Sequence, residues 1–367
     1  MKLKQSLYLF VTGFFLLFVS LPALAASAHE REEENKPVDV KSIVFGHIGD
    51  AYEWHVTTLG HTHVTIPLPV ILYSSNSGWH TFLSSTFEEH GGTYKGFYMA
   101  PEGSKYEGKI VERNASGEEI RPFDISITKV TLALLINSIL LVVIILGVAR
   151  WYRKRGGNTV SPGGFVGFME MFIMMVNDDI IKTCVGRNYR KFSPYLLTAF
   201  FFIFINNIMG LIPIFPGGAN VTGNIAITMV LAICTFLAVN IFGTRTYWKD
   251  VFWPNVPWWL KVPIPMMPLI EFLSVFTKPF ALMIRLFANM LAGHMAMLVL
   301  TCLVFISANM GPALNGTLTV ASVLFNIFMN TLEILVAFIQ AYVFTMLSSV
   351  FIGLAQEEHH AKEEIEN

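Results

Sequence analysis

Between Lys191 and Arg245 the chain runs through residues 192–244 without one Asp, Glu, Lys, Arg or His. A helix rises about 1.5 Å per residue and a hydrocarbon core is about 30 Å thick, so roughly twenty residues cross it once. This stretch is long enough to cross twice. Pro213, Pro216, Gly217, Gly218 and Gly223 interrupt it, which predicts a helical hairpin with its turn between the two spans. Helices are expected because hydrocarbon offers backbone groups no water to bond. The rest of the chain agrees. Hydrophobic residues make up 53% and charged residues 14% of the sequence, against about 25% charged in ordinary soluble chains. That excludes a wholly soluble enzyme, a disordered chain and a disulfide scaffold. A formal net charge of −1 offers no basic field to nucleic acid. Cys184, Cys234 and Cys302 are far apart in apolar surroundings and read as small core residues, not metal ligands.

The N-terminus reads as a secretory signal over residues 1–25. Lys2 and Lys4 precede an apolar run, and Ala23-Leu24-Ala25 supplies a small-x-small cleavage pattern, with Ala26-Ser27-Ala28 as a neighbouring choice. An uncleaved anchor is the alternative; the small residues and the polar stretch after them favour cleavage. Residues 26–124 then form an extracytoplasmic segment with an acidic run at Glu30, Glu32, Glu33 and Glu34. Short β-like pieces such as Thr62-His63-Val64-Thr65-Ile66 are separated by turns. His61 and His63 would share one side of a strand, a possible metal pair without a third ligand; surface histidines are the favoured reading.

Residues 130–149 carry no charge and are followed at once by Arg150, Arg153, Lys154 and Arg155, which places that end of the helix in the cytoplasm. Residues 165–181 include Glu170, Asp178 and Asp179 and suit an amphipathic helix at the inner surface. Arg245 and Lys249 close the hairpin on the same side, and Trp253, Trp258 and Trp259 mark an interface. Two apolar segments of around forty residues follow, 269–308 and 318–355. Each is nearly twice as long as a bilayer core, so tilt, bending or projection is required. The expected fold is an all-α polytopic membrane protein. It has five transmembrane helices, two of them long and strongly tilted, a surface amphipathic helix and a small exported N-terminal segment. The membrane part covers residues 125–358 and the cytoplasmic tail 359–367.

Both long segments hold isolated ionisable groups. Arg285 sits within Leu282-Met283-Ile284-Arg285-Leu286-Phe287, His294 follows nine residues on, and Glu333 stands in Thr331-Leu332-Glu333-Ile334. An intramembrane arginine costs from about 2.5 to more than 10 kcal/mol, so its presence needs a reason. One is a buried Arg–Glu pair pinning two helices. The other is an ion path. At about 100° per residue, Arg285 and Asn289 share a face and His294 points roughly the opposite way. Glu333 and Gln340 share a face. If Arg285 and Gln340 are level, His294 and Glu333 fall at nearly one depth. A His–Glu pair can pass a proton near neutral pH. An arginine cannot release its proton; it suits an electrostatic gate.

These residues resemble the a subunit of F-type ATP synthases. Arg285-Leu286-Phe287-Ala288-Asn289-Met290-Leu291-Ala292-Gly293-His294 is similar to that family's arginine-helix motif. Glu271, Lys278-Pro279, Glu333 with Gln340-Ala341-Tyr342, Asn206-Asn207-Ile208-Met209-Gly210 and Asn220-Val221-Thr222-Gly223-Asn224 fit its flanking motifs in order. One exchange departs from a common bacterial pattern, in which the glutamate lies on the arginine helix and the histidine on the last helix.

The resemblance implies a stator facing a rotating ring of c subunits. A proton would enter one half-channel, ride on a ring carboxylate and leave through a second, with Arg285 preventing a leak. His294, Glu333, Asn220 and Asn224 would line the outer half-channel. Glu271 and Lys278 would line the inner exit or sit at the interface. Gln340 would face and orient Arg285, and Asn289 would do the same or merely pack. Implied partners are the c ring, the b subunits of the peripheral stalk, other Fo and F1 subunits, the lipid bilayer and protons, in a bacterial inner membrane. No cofactor or metal is implied, and ATP chemistry is assigned to other subunits because no phosphate-binding loop is present. A self-contained secondary transporter is the rival reading, weakened because no internal repeat is visible. An anchored exported sensor is a third.

Overall fold

The computed structural model describes residues 48–59, 62–75, 77–101, 103–113, 118–155, 163–212, 215–253, 266–307 and 312–356, with isolated positions 40, 44 and 46. The expected signal at 1–25, the acidic run, His61, Trp258, Trp259 and the expected tail at 359–367 lie outside the described residues, as does the side chain of His63. Two compact units are present: residues up to 132 with 296–329, and residues 133–295 with 330 onward.

Among its described residues, the first unit has nine strands. Strands β1 (Glu53–Leu59) and β2 (Thr62–Pro67) pair antiparallel. Strands β3 (Pro69–Ser74) and β4 (Gly78–Leu83) form a hairpin, and β9 (Phe123–Asp124) joins the other edge of β3. Helix α1 (Ser85–Glu89) leads to β5 (Thr93–Tyr94), β6 (Phe97–Met99), β7 (Ile110–Arg113) and β8 (Glu119–Ile120), a four-stranded sheet in chain order. Alternation along β3 sends Val70 and Leu72 into a core with Tyr52, Phe87, Phe97 and Ile110. The Tyr52 hydroxyl donates to Asp124 Oδ2 at 2.5 Å. Burial first, then this bond, hold the phenol well above its usual pKa.

Helix α2 (Lys129–Arg155) starts without a free linker. Ile125 N and Ile127 N donate to the carbonyls of Ile71 and Pro69 at 3.0 and 3.1 Å. Lys129 N donates to Ala51 O at 2.9 Å, and Val130 N to Asp50 Oδ1 at 3.1 Å. Thr128 Oγ1 accepts from Thr131 N, as an N-cap does.

The second unit is helical. Helix α3 (Gly164–Met174) passes into a π-helix (Met175–Ile181) and a short α4 (Lys182–Val185). Gly186 turns the chain at φ 72°, a conformation that glycine adopts without penalty. Helices α5 (Tyr189–Leu211) and α6 (Ile225–Ile241) occupy the uncharged stretch, with the Pro/Gly residues between them, as the sequence predicts. Helix α7 (Arg245–Phe252) turns away from α6 by 102°. Helices α8 (Met266–Ser307) and α9 (Pro312–Gln356) follow. Among the described residues, four helical stretches are long and apolar enough to cross a membrane, and the bent α6–α7 pair makes up to five. The chain is a multi-pass membrane protein. Leu196, Phe200, Ile203, Leu286, Ala341 and Phe344 centre the core that holds α5, α8 and α9 together. Of the three cysteines expected inside, Cys302 is buried and Cys184 half-buried, but Cys234 is exposed on α6. A small apolar thiol facing hydrocarbon incurs no desolvation cost, so burial is not required of it.

Candidate functional site

Helix α8 carries Lys278, Arg285 two turns on, Asn289 one turn further and His294 five residues beyond that, and α9 carries Glu333 and Gln340. His294 Nδ1 lies 3.0 Å from Glu333 Oε1. The two residues are 8% and 5% exposed. His294 Nε2 faces the Gly210 carbonyl of α5 at 3.2 Å. A carbonyl only accepts, so Nε2 carries a hydrogen. The bond between Nδ1 and Oε1 then needs one proton, held as imidazolium or as carboxylic acid. Glu333 Oε2 is buried and has no hydrogen-bond partner among the described residues.

Room for the carboxylate comes from Gly293. A β-carbon there would stand 2.8 Å from Glu333 Oε1, inside any normal contact.

Buried amides and hydroxyls link the helices in three further groups. The loop between α5 and α6 folds inward, so Asn220 and Thr222 are buried. Asn220 Oδ1 accepts from Gly223 N at 2.8 Å, and its amide points at Met290 O of α8, 3.5 Å away. Thr222 donates to Asn207 Oδ1 at 2.6 Å, and Asn207 donates to Ala337 O of α9 at 3.3 Å. Asn137 of α2 donates to Asn206 Oδ1 at 3.0 Å. Unpaired, such groups in an apolar interior would each cost about 1–3 kcal/mol.

Arg285 is separate from this cluster. Its side chain is exposed and forms no ion pair with Glu333 among the described residues. It opens on a cavity of about 320 Å³ lined also by Thr277, Lys278, Ala281, Leu282, Leu347 and Phe351. Asn289, one turn along α8 from Arg285, donates to Gln340 Oε1 at 2.8 Å, so that amide oxygen is held by Asn289. Lys278 Nζ sits 5.6 Å from the Phe351 ring centroid. Glu271 is half-buried, two turns before Lys278. Asn224 caps α6, its Oδ1 accepting from Ala226 N at 3.0 Å. Among the described residues no group of three or more His, Cys, Asp or Glu gathers as a metal site.

Sequence reasoning left Asn137, Thr222, Asn207 and the Gly210 carbonyl without roles. Asn137 had a signal, being a polar residue within the uncharged run 130–149. A backbone carbonyl has none.

Fold and site together define a polytopic membrane protein that keeps ionisable groups inside its helical bundle. Residues 134–353 match the family model described as ATP synthase A chain, and residues 43–126 match a "domain of unknown function (DUF8433)". "ATP synthase subunit a" of Chloroherpeton thalassium is 39% identical over 250 residues, covering 66% of this chain and 70% of that protein. "ATP synthase subunit a" of Chlorobium phaeobacteroides (strain DSM 266) is 41% identical, with 66% and 69% covered. "ATP synthase subunit a 2" of Chlorobaculum tepidum is 41% identical, with 68% and 69% covered. The chain belongs to the ATP synthase subunit a family, a non-catalytic part of the Fo sector.

Proposed function

We propose that this chain is the proton-conducting stator of Fo. It offers two half-channels and a fixed arginine to a ring of c subunits, each bearing one carboxylate. The observation that carries this reading is the separation of charges: Glu333 is paired with His294, while Arg285 is exposed beside a cavity. An arginine locked to its own glutamate could not serve a passing carboxylate. A free one can.

His294 and Glu333 hold the proton next to be loaded, with Asn220 and Asn224 on the outer approach. A ring carboxylate that accepts the proton becomes neutral and turns through lipid without a large desolvation cost. On returning, the ionised carboxylate is held by Arg285, whose opposite charge favours the ionised form. Lys278 and Glu271 border the inner exit. Gln340 and Asn289 brace each other next to Arg285. Each proton crossing about 100 mV contributes about 2.3 kcal/mol.

In this reading residues 1–25 are a removed signal, 26–124 stand outside and 359–367 inside, which the basic end of α2 at Arg150, Arg153 and Lys154 supports. Residues 125–358 form the membrane domain in a bacterial inner membrane, α8 and α9 lie tilted, and α3 rests at the inner surface. The b subunits of the peripheral stalk and the F1 subunits complete the assembly. Arg285→Ala in membrane vesicles tests it: the complex assembles, and ATP-driven proton pumping is lost. Pumping that survives the substitution overturns the reading.

A further inference from the structure

We propose that the outer face of the β4-β3-β9 sheet is a membrane-binding surface, seated among the headgroups and upper acyl chains of the leaflet that α2 enters. This goes beyond the proton path and rests only on α2 crossing the membrane.

The sheet has two apolar faces. Its inner face is the core around Val70 and Leu72. Antiparallel sheets commonly present a polar outer face to water. Here Tyr73 pairs with Trp79 on one side and Phe123 on the other, so three rings form one row across three strands. Trp79 is 62% and Phe123 64% exposed, and the rings of Tyr73 and Trp79 lie 5.1 Å apart. Leu83 and Ile125 extend the same exposed surface. Exposed apolar patches of this kind mark binding surfaces.

The position of the patch selects its occupant. Ile125 and Ile127 remain hydrogen-bonded to β3, and Lys129 and Val130 to residues 51 and 50, right into the first turn of α2. Ile127 is four positions beyond Phe123, at most about 14 Å of extended chain. These bonds tie the sheet to the first turn of the helix that enters the membrane. Tryptophan and tyrosine concentrate at that boundary because their rings are amphipathic. Arg121 is exposed, in step with Phe123 and Ile125, where a guanidinium can reach lipid phosphate.

The test uses the full chain in its assembled complex, reconstituted in phosphatidylcholine vesicles. Fluorescence of the parent is compared with Trp79→Phe, so that the difference isolates Trp79 among the seven tryptophans. Lipid brominated near the headgroup should quench this difference emission, and aqueous iodide should leave it nearly unchanged. Tyr73→Trp placed in the Trp79→Phe chain should restore lipid-quenchable emission. Quenching by iodide overturns the proposal by placing the face in water. Quenching by neither overturns it by placing a second copy or another subunit there.

Discussion

Gly293 lies so close to Glu333 that any side chain at position 293 would intrude on the carboxylate: a β-carbon would be 2.8 Å from Oε1 and 3.0 Å from Cδ. The absence of a side chain at 293 leaves room for the carboxylate that meets His294.

Gly293→Ala should therefore act as a lesion of Glu333. Overpacking of this kind costs about 1–3 kcal/mol, and here it is relieved by displacing the carboxylate from His294. Pumping in vesicles should drop, and Glu333→Asp in the same chain should recover part of it by shortening the intruded side chain. Parent-level pumping in Gly293→Ala would show that the contact is relieved without cost.

His294→Ala and Glu333→Ala should be strongly non-additive. The two side chains share one proton-bearing bond at 3.0 Å, so removing the second partner costs little once the first is gone. Pumping rates of the two single variants and the double variant complete the cycle. Losses that simply multiply would separate the two residues into independent tasks.

Thr222→Val keeps the volume of a fully buried residue and deletes its bond to Asn207 Oδ1. The unpaired amide oxygen should cost about 1–3 kcal/mol. A lowered midpoint in thermal unfolding of the detergent-solubilised complex would register this. Adding Asn207→Leu should return part of the loss, because both partners are then apolar. An unchanged midpoint in Thr222→Val would remove Thr222 from the account.

Alkali should loosen the strand-rich unit through Tyr52. Burial and Asp124 raise the folded phenol's pKa, while an unfolded tyrosine titrates near about 10. The contribution is then complete below about pH 10 and is lost as pH rises beyond it, since only the unfolded form ionises readily. Proteolysis of residues 48–124 in the reconstituted chain should accelerate above that pH, and Tyr52→Phe should flatten the response. Equal alkaline sensitivity in both chains would assign the effect elsewhere.

Helix existence was legible wherever charge was missing. The hairpin of α5 and α6 and the long α8 and α9 follow from run length and Pro/Gly breaks. The nearness of His294 and Glu333 followed from helix rise, because both positions were counted from residues expected at one level. The bracing of Gln340 by Asn289 did not. The two side chains lie on different helices, and which amide meets which depends on helix rotation that spacing leaves open. The π-helix at Met175–Ile181 was equally hidden, since no residue type demands it. The Gly210 carbonyl was invisible for a simpler reason: a sequence does not record where backbone oxygens point.

The junction at residues 125–130 is stitched to strand and loop by four bonds of 2.9 to 3.1 Å, and so contains no swivel. The first turn of α2 and the strands beside it must yield together or not at all. Backbone motion at residues 125, 127, 129 and 130 is thereby shared with their partners at 71, 69, 51 and 50.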